Sequence, residues 1–245
     1  MAKANLSIII PAYNEAQRIV PTLLSIHEHL KRSKLRAEIV VVDDGSTDAT
    51  QHAVTGLVDE YIKLPQNCGK GVAVRRGMLL ASAPYILMMD ADGSAPITAL
   101  DNLWPLRKEA DIIIGSRHIE GSVIHIHQSL LRQTVSYLAN VCFRLILRLP
   151  YADTQCGFKL FKKEAARAIF TQTLIDHWGL DVEALKIAQV LGLTVNEVPI
   201  AWHDSRGGTL RAGRAAIYTF EEVISIWLNV RMGKYKRSKQ GSKSK

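Results

Sequence analysis

The sequence predicts an α/β fold in which a mostly parallel central sheet is flanked by helices. Short apolar runs at 6–10, 38–42 and 85–89 are separated by stretches long enough to form a helix. Each run ends in a polar loop, and ligands of parallel α/β sheets bind outside the carboxyl ends of the strands. A chain of 245 residues, 47% of them hydrophobic, can bury the core that such a sheet requires.

Five polar loops follow predicted strands and hold most of the residues suited to chemistry. Loops that only turn the chain do not need tyrosine, glutamate, paired aspartates and arginine at one sheet edge. Functional loops are therefore the better interpretation. In chain order they are Pro-Ala-Tyr-Asn-Glu at 11–15, Asp-Asp-Gly-Ser-Thr-Asp at 43–48, Asn-Cys-Gly-Lys-Gly at 67–71, Asp-Ala-Asp-Gly at 90–93 and Gly-Ser-Arg at 115–117.

Asp90 and Asp92 stand one residue apart at the end of the apolar run 85–89. Two like charges this close repel unless a cation or hydrogen-bond donors lie between them, and paired carboxylates favour a hard metal ion. The alternative is that one of them caps the helix predicted at 96–108. The other four loops favour the metal site.

The remaining elements continue the alternation of strands and helices. Two glycines around Lys70, at the start of a helix, suit a phosphate group. The other predicted elements are a helix at 16–34, a strand at 61–64, a helix at 96–108, a strand at 111–114, helices at 165–170 and from 178, and a strand at 194–200.

Two amphipathic segments lie near 129–150 and 215–230, and a basic segment follows the second. Each is too interrupted by polar residues to cross a membrane and more apolar than an ordinary exposed helix. They could lie at a membrane interface or pack in the domain core. The basic segment could bind an anionic membrane surface or act as a solubilising tail.

The formal net charge of +8 favours an acidic partner, which could be nucleic acid, an anionic membrane or a phosphorylated substrate. Seven of the basic residues lie within 231–245. Three widely spaced cysteines indicate neither a disulfide framework nor a zinc site, which fits a reducing compartment. No apolar run reaches about 18 residues, so no transmembrane helix is predicted.

Together the five loops resemble glycosyltransferase family 2, and this implies the GT-A fold with its Rossmann-like sheet. A sixth segment, Asp-Thr-Gln-Cys-Gly-Phe-Lys at 153–159, resembles the polyprenyl-phosphate branch, dolichyl-phosphate glucosyltransferases and mannose synthases in particular. The resemblance covers residues 5–210. It implies one GT-A domain at 1–231 and a flexible basic tail at 232–245.

The resemblance also implies the positions that hold the donor nucleotide sugar. Asp90 and Asp92 are expected to bind Mg²⁺ or Mn²⁺ against the donor diphosphate. A further loop, at 202–211, is expected near the donor phosphates. The other expected donor-site positions are Pro11, Tyr13, Glu15, Asp43, Lys70 and Ala91.

The expected catalytic residues are Asp90 and Asp92 together with three others, two of which serve the phosphates of both donor and acceptor. Arg117 and Arg132 would supply fixed positive charge for the phosphates. Asp153 would position the acceptor, or act as a base if the acceptor were a sugar hydroxyl. Lys159 is a possible phosphate partner.

The resulting prediction is an inverting enzyme that moves a hexose, most simply from UDP-glucose, onto a polyprenyl or dolichyl phosphate. It would be peripheral at the cytoplasmic face of a membrane. The alternatives are a GDP-mannose or UDP-amino-sugar donor, a polysaccharide acceptor, an inactive lipid- or nucleotide-binding relative, and a basic nucleic-acid-binding protein. Carboxylates at the strand ends would repel a nucleic-acid backbone, so no nucleic acid is expected as a partner.

Overall fold

A seven-stranded mixed sheet lies at the centre of the protein. The computed structural model describes residues 4–125, 130–203 and 212–236, and it describes the side chains of all of these except 130–136 and 212–218. The strands are β1 (Leu6–Ala12), β2 (Ala37–Asp43), β3 (Glu60–Lys63), β4 (Tyr85–Met89), β5 (Ile112–Ser116), β6 (Val123–His125), β7 (Phe158–Lys162), β8 (Val195–Pro199) and β9 (Ala201–His203). The order across the sheet is β3-β2-β1-β4-β7-β5-β8, while β6 and β9 form a separate pair.

The helices cover both faces of this sheet. They are α1 (Ile19–Ser33), α2 (Thr50–Val54), α3 (Lys70–Leu80), α4 (Leu100–Leu103), α5 (Leu130–Leu147), α6 (Lys163–Phe170), α7 (Leu180–Leu191) and α8 (Ala212–Arg231). The α/β class predicted from the sequence is therefore confirmed.

One strand of the sheet runs against the others. β1 pairs in parallel with β2 and β4, and β5 pairs in parallel with β8. β7 lies between β4 and β5 and is antiparallel to both. The sequence did not indicate this strand. Its reversed direction brings the residues just before β7 to the edge where β4 and β5 end.

Two predicted helices differ from the structure because of proline. α1 begins at Ile19 rather than at residue 16, which places Pro21 third in the helix, where its missing N–H needs no intrahelical partner. The segment predicted as a helix at 96–108 is a short α-helical turn between two 3₁₀ turns. Pro105 cannot donate the hydrogen bond that a continuous helix would require there.

Apolar side chains alternate between the two faces of the sheet. Ile9 of β1 packs toward α3 and α7, whereas Ile8 and Ile10 pack toward α1. All three side chains are inaccessible to solvent. Because both faces are buried, the strands are apolar at nearly every position, and each such side chain contributes about 2 kcal/mol of burial energy.

α5 and α8 pack against each other, and each helix has one face buried in the core and one apolar face exposed to solvent. Phe143 of α5 and Val223 and Ile226 of α8 are buried in the core. Large apolar side chains also point to solvent from both helices: Tyr137, Leu138 and Leu145 on α5, and Phe220, Ile224 and Leu228 on α8. Packing in the domain core is therefore confirmed for one face of each helix, and contact of the other face with a membrane stays a prediction. Among the helices that the structure describes, none combines the length and the apolar composition of a membrane span.

Candidate active site

The ends of β1, β2 and β4 bring the first polar loops together. Ala12 pairs with Asp43 across β1 and β2, and the Asp44 N–H donates to the Ala12 carbonyl over 2.8 Å. Asn14, with a φ of 55°, accepts from the Thr47 N–H over 2.9 Å. These contacts fix the two loops that were expected to hold the nucleotide.

The predicted nucleotide positions differ in their exposure. Tyr13 is exposed at the surface, whereas Pro11 and Ala91 are buried. Asp43 has no solvent exposure and accepts hydrogen bonds from Ser46 and from the Tyr61 hydroxyl. Its contacts in the structure therefore hold the loop, and a direct nucleotide contact by Asp43 stays a prediction.

Asp44 connects the end of β2 to the turn that carries Lys70. Its two carboxylate oxygens accept from the Cys68 and Gly69 N–H groups over 2.7 and 2.8 Å. Gly69 has a φ of 104°, and a Cβ there would lie 2.2 Å from the Asp176 carbonyl oxygen. Only glycine fits this turn, which places Lys70 at the N-terminus of α3.

Lys70 neutralises Asp90 at the end of β4. Its Nζ lies 2.7 Å from Asp90 Oδ1 and 3.6 Å from Asp181 Oδ2. Burial lowers the pKa of Lys70, but the two carboxylates outweigh this and raise it. Burial raises the pKa of Asp90, with Lys70 opposing and Asp92 adding to the increase. Lys70 is thus a charged cation held against Asp90, and its contact with a donor diphosphate stays a prediction.

Gly157 allows this arrangement because it leaves room for Asp90. A Cβ at Gly157 would lie 1.9 Å from Asp90 Oδ2. The Asp90 N–H also donates to the Gly157 carbonyl over 3.2 Å. The segment before β7 therefore packs directly against the first carboxylate of the Asp-x-Asp pair.

Glu15 brings a third carboxylate near the pair. Its Oε1 accepts from Arg18 over 2.6 Å, while Oε2 is buried without a hydrogen-bond partner in the described part of the chain. Burial raises the pKa of Glu15, Arg18 opposes this, and Asp92 and Asp90 raise it further. The unpaired oxygen and the clustered negative charge indicate a place for a cation or a polar ligand.

The carboxylates fit a divalent metal that is held jointly with a substrate. Within the described ranges, no group of three or more His, Cys, Asp or Glu side chains is arranged to hold a metal ion by itself. Mg²⁺ and Mn²⁺ prefer oxygen ligands, and Mg²⁺ is often bound by one or two carboxylates together with substrate phosphates. Asp90 and Asp92 supply such oxygens in the loop that follows the end of β4.

Arg117, at the end of β5, is fixed by Asp153. The Arg117 Nε and Nη2 atoms lie 2.6 and 2.9 Å from the two carboxylate oxygens of Asp153, which is fully buried. Burial alone would raise the pKa of Asp153, but the ion pair outweighs it and lowers the pKa to about 2. Trp202 lies 5.5 Å from the guanidinium. A carboxylate held this way is suited to positioning Arg117 and is a poor base.

Lys159 was wrongly expected as a phosphate partner. It is fully buried in β7, and its Nζ binds the Cys156 carbonyl and Asp181. Asp181 therefore joins Lys159 to Lys70 in one buried ionic network. The side chain of Arg132 and the loop at 204–211 lie outside the described residues.

A segment before α7 covers the Lys70 turn, and no local pattern in the sequence predicts this contact. The Trp178 ring lies 5.3 Å from Lys70 Nζ, and the Gly71 N–H donates to the Asp176 carbonyl over 2.7 Å. Glu183 holds the same segment by accepting from the Leu174 and Ile175 N–H groups. These contacts bring residues about 100 positions apart in the chain to one site.

The mixed sheet, with polar loops at the strand ends, is that of the GT-A fold. The family model for "Glycosyl transferase family 2" matches residues 7–170, which is more than half of the chain. The chain therefore belongs to glycosyltransferase family 2. The family predicted from the loop motifs is confirmed.

Curated relatives extend the match beyond this range. The dolichyl-phosphate beta-glucosyltransferase of Dictyostelium discoideum is 34% identical over 94% of this chain and 76% of the relative. The human protein of the same name is 31% identical over 94% of this chain and 72% of its own length.

Solved structures show the same fold. Glucosyl-3-phosphoglycerate synthase from Mycobacterium tuberculosis, in complex with Mn²⁺, UDP-glucose and phosphoglyceric acid, aligns with a TM-score of 0.69 at 19% identity. The alignment covers 97% of this chain and 82% of that one. Mannosyl-3-phosphoglycerate synthase from Rubrobacter xylanophilus aligns with a TM-score of 0.64 at 18% identity, over 98% and 79% of the two chains.

Proposed function

We propose that this protein transfers glucose from UDP-glucose to a dolichyl or other polyprenyl phosphate, with inversion at the anomeric carbon. The names of the relatives from Dictyostelium and human support the donor sugar and the acceptor. The observation that carries the proposal is the pair of ionic contacts at one sheet edge, Lys70 with Asp90 and Arg117 with Asp153.

These contacts provide charge for two separate phosphate groups. Asp90 follows β4 and Arg117 follows β5, and β7 lies between the two strands. On the β4 side, Lys70 would move from Asp90 toward the donor diphosphate. On the β5 side, Arg117 would hold the acceptor phosphate, with its guanidinium kept in place by Asp153.

The reaction exchanges one bond at the sugar. An acceptor phosphate oxygen attacks the anomeric carbon and forms the new carbon–oxygen bond. The bond from that carbon to the donor diphosphate breaks, and its electron pair leaves with UDP. The acceptor needs no general base, because a phosphate monoester with a second pKa of about 6 is already largely a dianion at neutral pH.

A divalent ion bound by Asp90 and Asp92 would neutralise the charge that develops on the leaving diphosphate. Mg²⁺ and Mn²⁺ both suit these oxygen ligands. Mn²⁺ in the complex of the mycobacterial synthase supports this choice for the fold in general. Lys70 would add fixed positive charge to the same oxygens.

We further propose that the domain at 1–231 works as a peripheral protein at the cytoplasmic face of a membrane, with 232–245 as a flexible basic tail. The exposed apolar side chains of α5 and α8 support contact with a bilayer. The acceptor is a membrane lipid, so the enzyme must reach the bilayer surface.

The test is sugar transfer by the purified protein. Labelled UDP-glucose, GDP-mannose and a UDP-amino sugar are each incubated with polyprenyl phosphate in detergent and with Mn²⁺ or Mg²⁺. Asp92→Asn should lower turnover by about 100-fold or more, because a charged ligand is lost. Asp101→Asn is the matched control, since this carboxylate is largely exposed on α4.

Two results would reject parts of the proposal. Full activity of Asp92→Asn would reject the metal assignment. Glucose transfer to phosphoglyceric acid or to a polysaccharide, with none to the lipid, would keep the enzyme class and reject the acceptor.

A further inference from the structure

A cavity of about 250 Å³ lies outside the active site, between the last turns of α5 and α8 and the middle of α7. Its apolar wall includes Ile146, Trp227 and Val230. Its charged wall consists of Arg148, Lys186 and Arg231, and none of the described residues that line it is a carboxylate. We propose that this cavity binds the phosphate of an anionic phospholipid headgroup. The inference rests on the membrane location proposed above.

In the part of the chain that the structure describes, the three cations lack an acidic partner. Among the described residues, none of them forms an ion pair with Asp or Glu. Burial lowers the pKa of Lys186, and the nearby charge of Arg148 lowers it further. Like charges gathered around one cavity repel, and a bound anion would remove that repulsion.

Local contacts hold the cations in place. Lys186 Nζ donates to the Leu147 carbonyl over 2.8 Å and to Gln189 Oε1 over 2.7 Å, which leaves one of its three N–H groups for a ligand. The Arg231 guanidinium lies 4.1 Å from the centre of the Trp227 ring. This stacking orients the guanidinium and leaves the N–H groups at its edge available.

The carbonyl groups at the end of α5 also attract a cation, as the Lys186 contact with Leu147 shows, and the end of α8 carries the same kind of partial negative charge. The C-terminal end of a helix carries about half a negative elementary charge, so the two ends together offset about one of the three positive charges. About two positive charges remain, which a dianionic phosphate would balance fully and a phosphodiester with one negative charge would balance by half.

The surroundings favour a lipid over free phosphate. Phe220, Ile224, Leu228 and Met232 are exposed on and just after α8 at intervals of four residues, and Leu145 of α5 is 72% exposed. A bilayer covers such a surface with its acyl region while the headgroups meet the cations beside it. Tryptophan beside arginine, as in Trp227 with Arg231, is typical of the interfacial layer.

The experiment measures sedimentation of the full chain with two kinds of vesicle, phosphatidylcholine alone and phosphatidylcholine mixed with phosphatidylglycerol. No donor or acceptor is present, so the result is independent of sugar transfer. The test variant carries Arg148→Gln, Lys186→Gln and Arg231→Gln. The matched control removes three cations from the opposite side of the sheet, with Lys31→Gln, Arg32→Gln and Lys34→Gln.

The test variant should bind the anionic vesicles on the order of 100-fold more weakly, because each interfacial cation contributes about a fivefold factor. The control should lose less than about threefold. Equal losses in both variants, or no loss in the test variant, would overturn the proposal. If inorganic phosphate stabilises the wild type but the protein shows no preference for anionic vesicles, the cavity binds free phosphate and not a lipid headgroup. This result would also overturn the proposal.

Lys186 also supports the end of α5, so the triple variant could be poorly folded. Circular dichroism and thermal unfolding check this. The single variant Arg231→Gln removes the Trp227 contact but buries no new group, because Arg231 is exposed at the end of α8, and it should weaken vesicle binding about fivefold. An unchanged affinity for anionic vesicles in this folded variant would contradict the site.

Discussion

Replacing Asp153 with asparagine removes the charge that holds Arg117, and the effect should appear in both stability and activity. Asp153 is fully buried and contacts Arg117 through both carboxylate oxygens. The ion pair lowers the pKa of Asp153 from 3.8 to about 2. The folded protein is therefore stabilised by the ionised form of this carboxyl group.

The size of this contribution follows from the pKa difference. A shift from 3.8 to about 2 corresponds to about 2 kcal/mol of unfolding free energy at neutral pH. Because the folded-state pKa is depressed, the contribution is complete above pH 3.8 and is lost as the pH falls toward about 2. At about pH 3, roughly half of it remains.

Urea unfolding of the wild type and Asp153→Asn measures this difference at several pH values. We expect a loss of about 2 kcal/mol at about pH 7 and a smaller loss at about pH 3, provided both proteins stay folded. Asp101→Asn should show neither effect, because this carboxylate is largely exposed. A difference that stays constant with pH would refute the ionic explanation. Unchanged kcat/KM for the acceptor would show that fixing Arg117 is unnecessary for transfer.

Three further predictions concern neighbouring contacts. In the absence of nucleotide, the Lys70→Met variant should bind Mn²⁺ more tightly than the wild type does, because Asp90 is no longer neutralised by Lys70. Weaker Mn²⁺ binding by the variant in calorimetry would contradict this. Gly157→Ala should lower kcat by at least about tenfold by displacing Asp90, and a normal rate would show that the loop tolerates a Cβ. Tyr235→Phe should lower the unfolding free energy by about 1–3 kcal/mol, since its hydroxyl donates to buried Glu183 over 2.7 Å. Denaturation that matches the wild type would count against a role for this bond.

The strand ends could be predicted because their signals are local. An apolar run followed at once by Asp90 and Asp92 indicates both the strand and the carboxylates at its end. The side chains that complete the site come from distant positions. Lys70 was assigned to a phosphate because of its two glycines, but its ion pair with Asp90 is visible only in the structure.

Lys159 and Trp178 illustrate what the sequence could not provide. A lysine in a motif next to an apolar strand is expected to face a ligand, yet Lys159 is buried because Asp181 supplies a charge 22 residues away. Trp178 reaches Lys70 only through the fold of the segment before α7. Neither contact leaves a periodic pattern in the sequence.

The position of β7 between β4 and β5 also determines how long β4 stays unpaired on one edge while the chain is synthesised. β4 ends at Met89 and β7 begins at Phe158, so a chain that folds as it leaves the ribosome exposes β4 as an open edge until its partner emerges. Synthesis at about 5–20 residues per second makes this interval several seconds. During that time the apolar edge of β4 is available to other nascent chains, and the hydrogen bond from the Asp90 N–H to the Gly157 carbonyl has not yet formed.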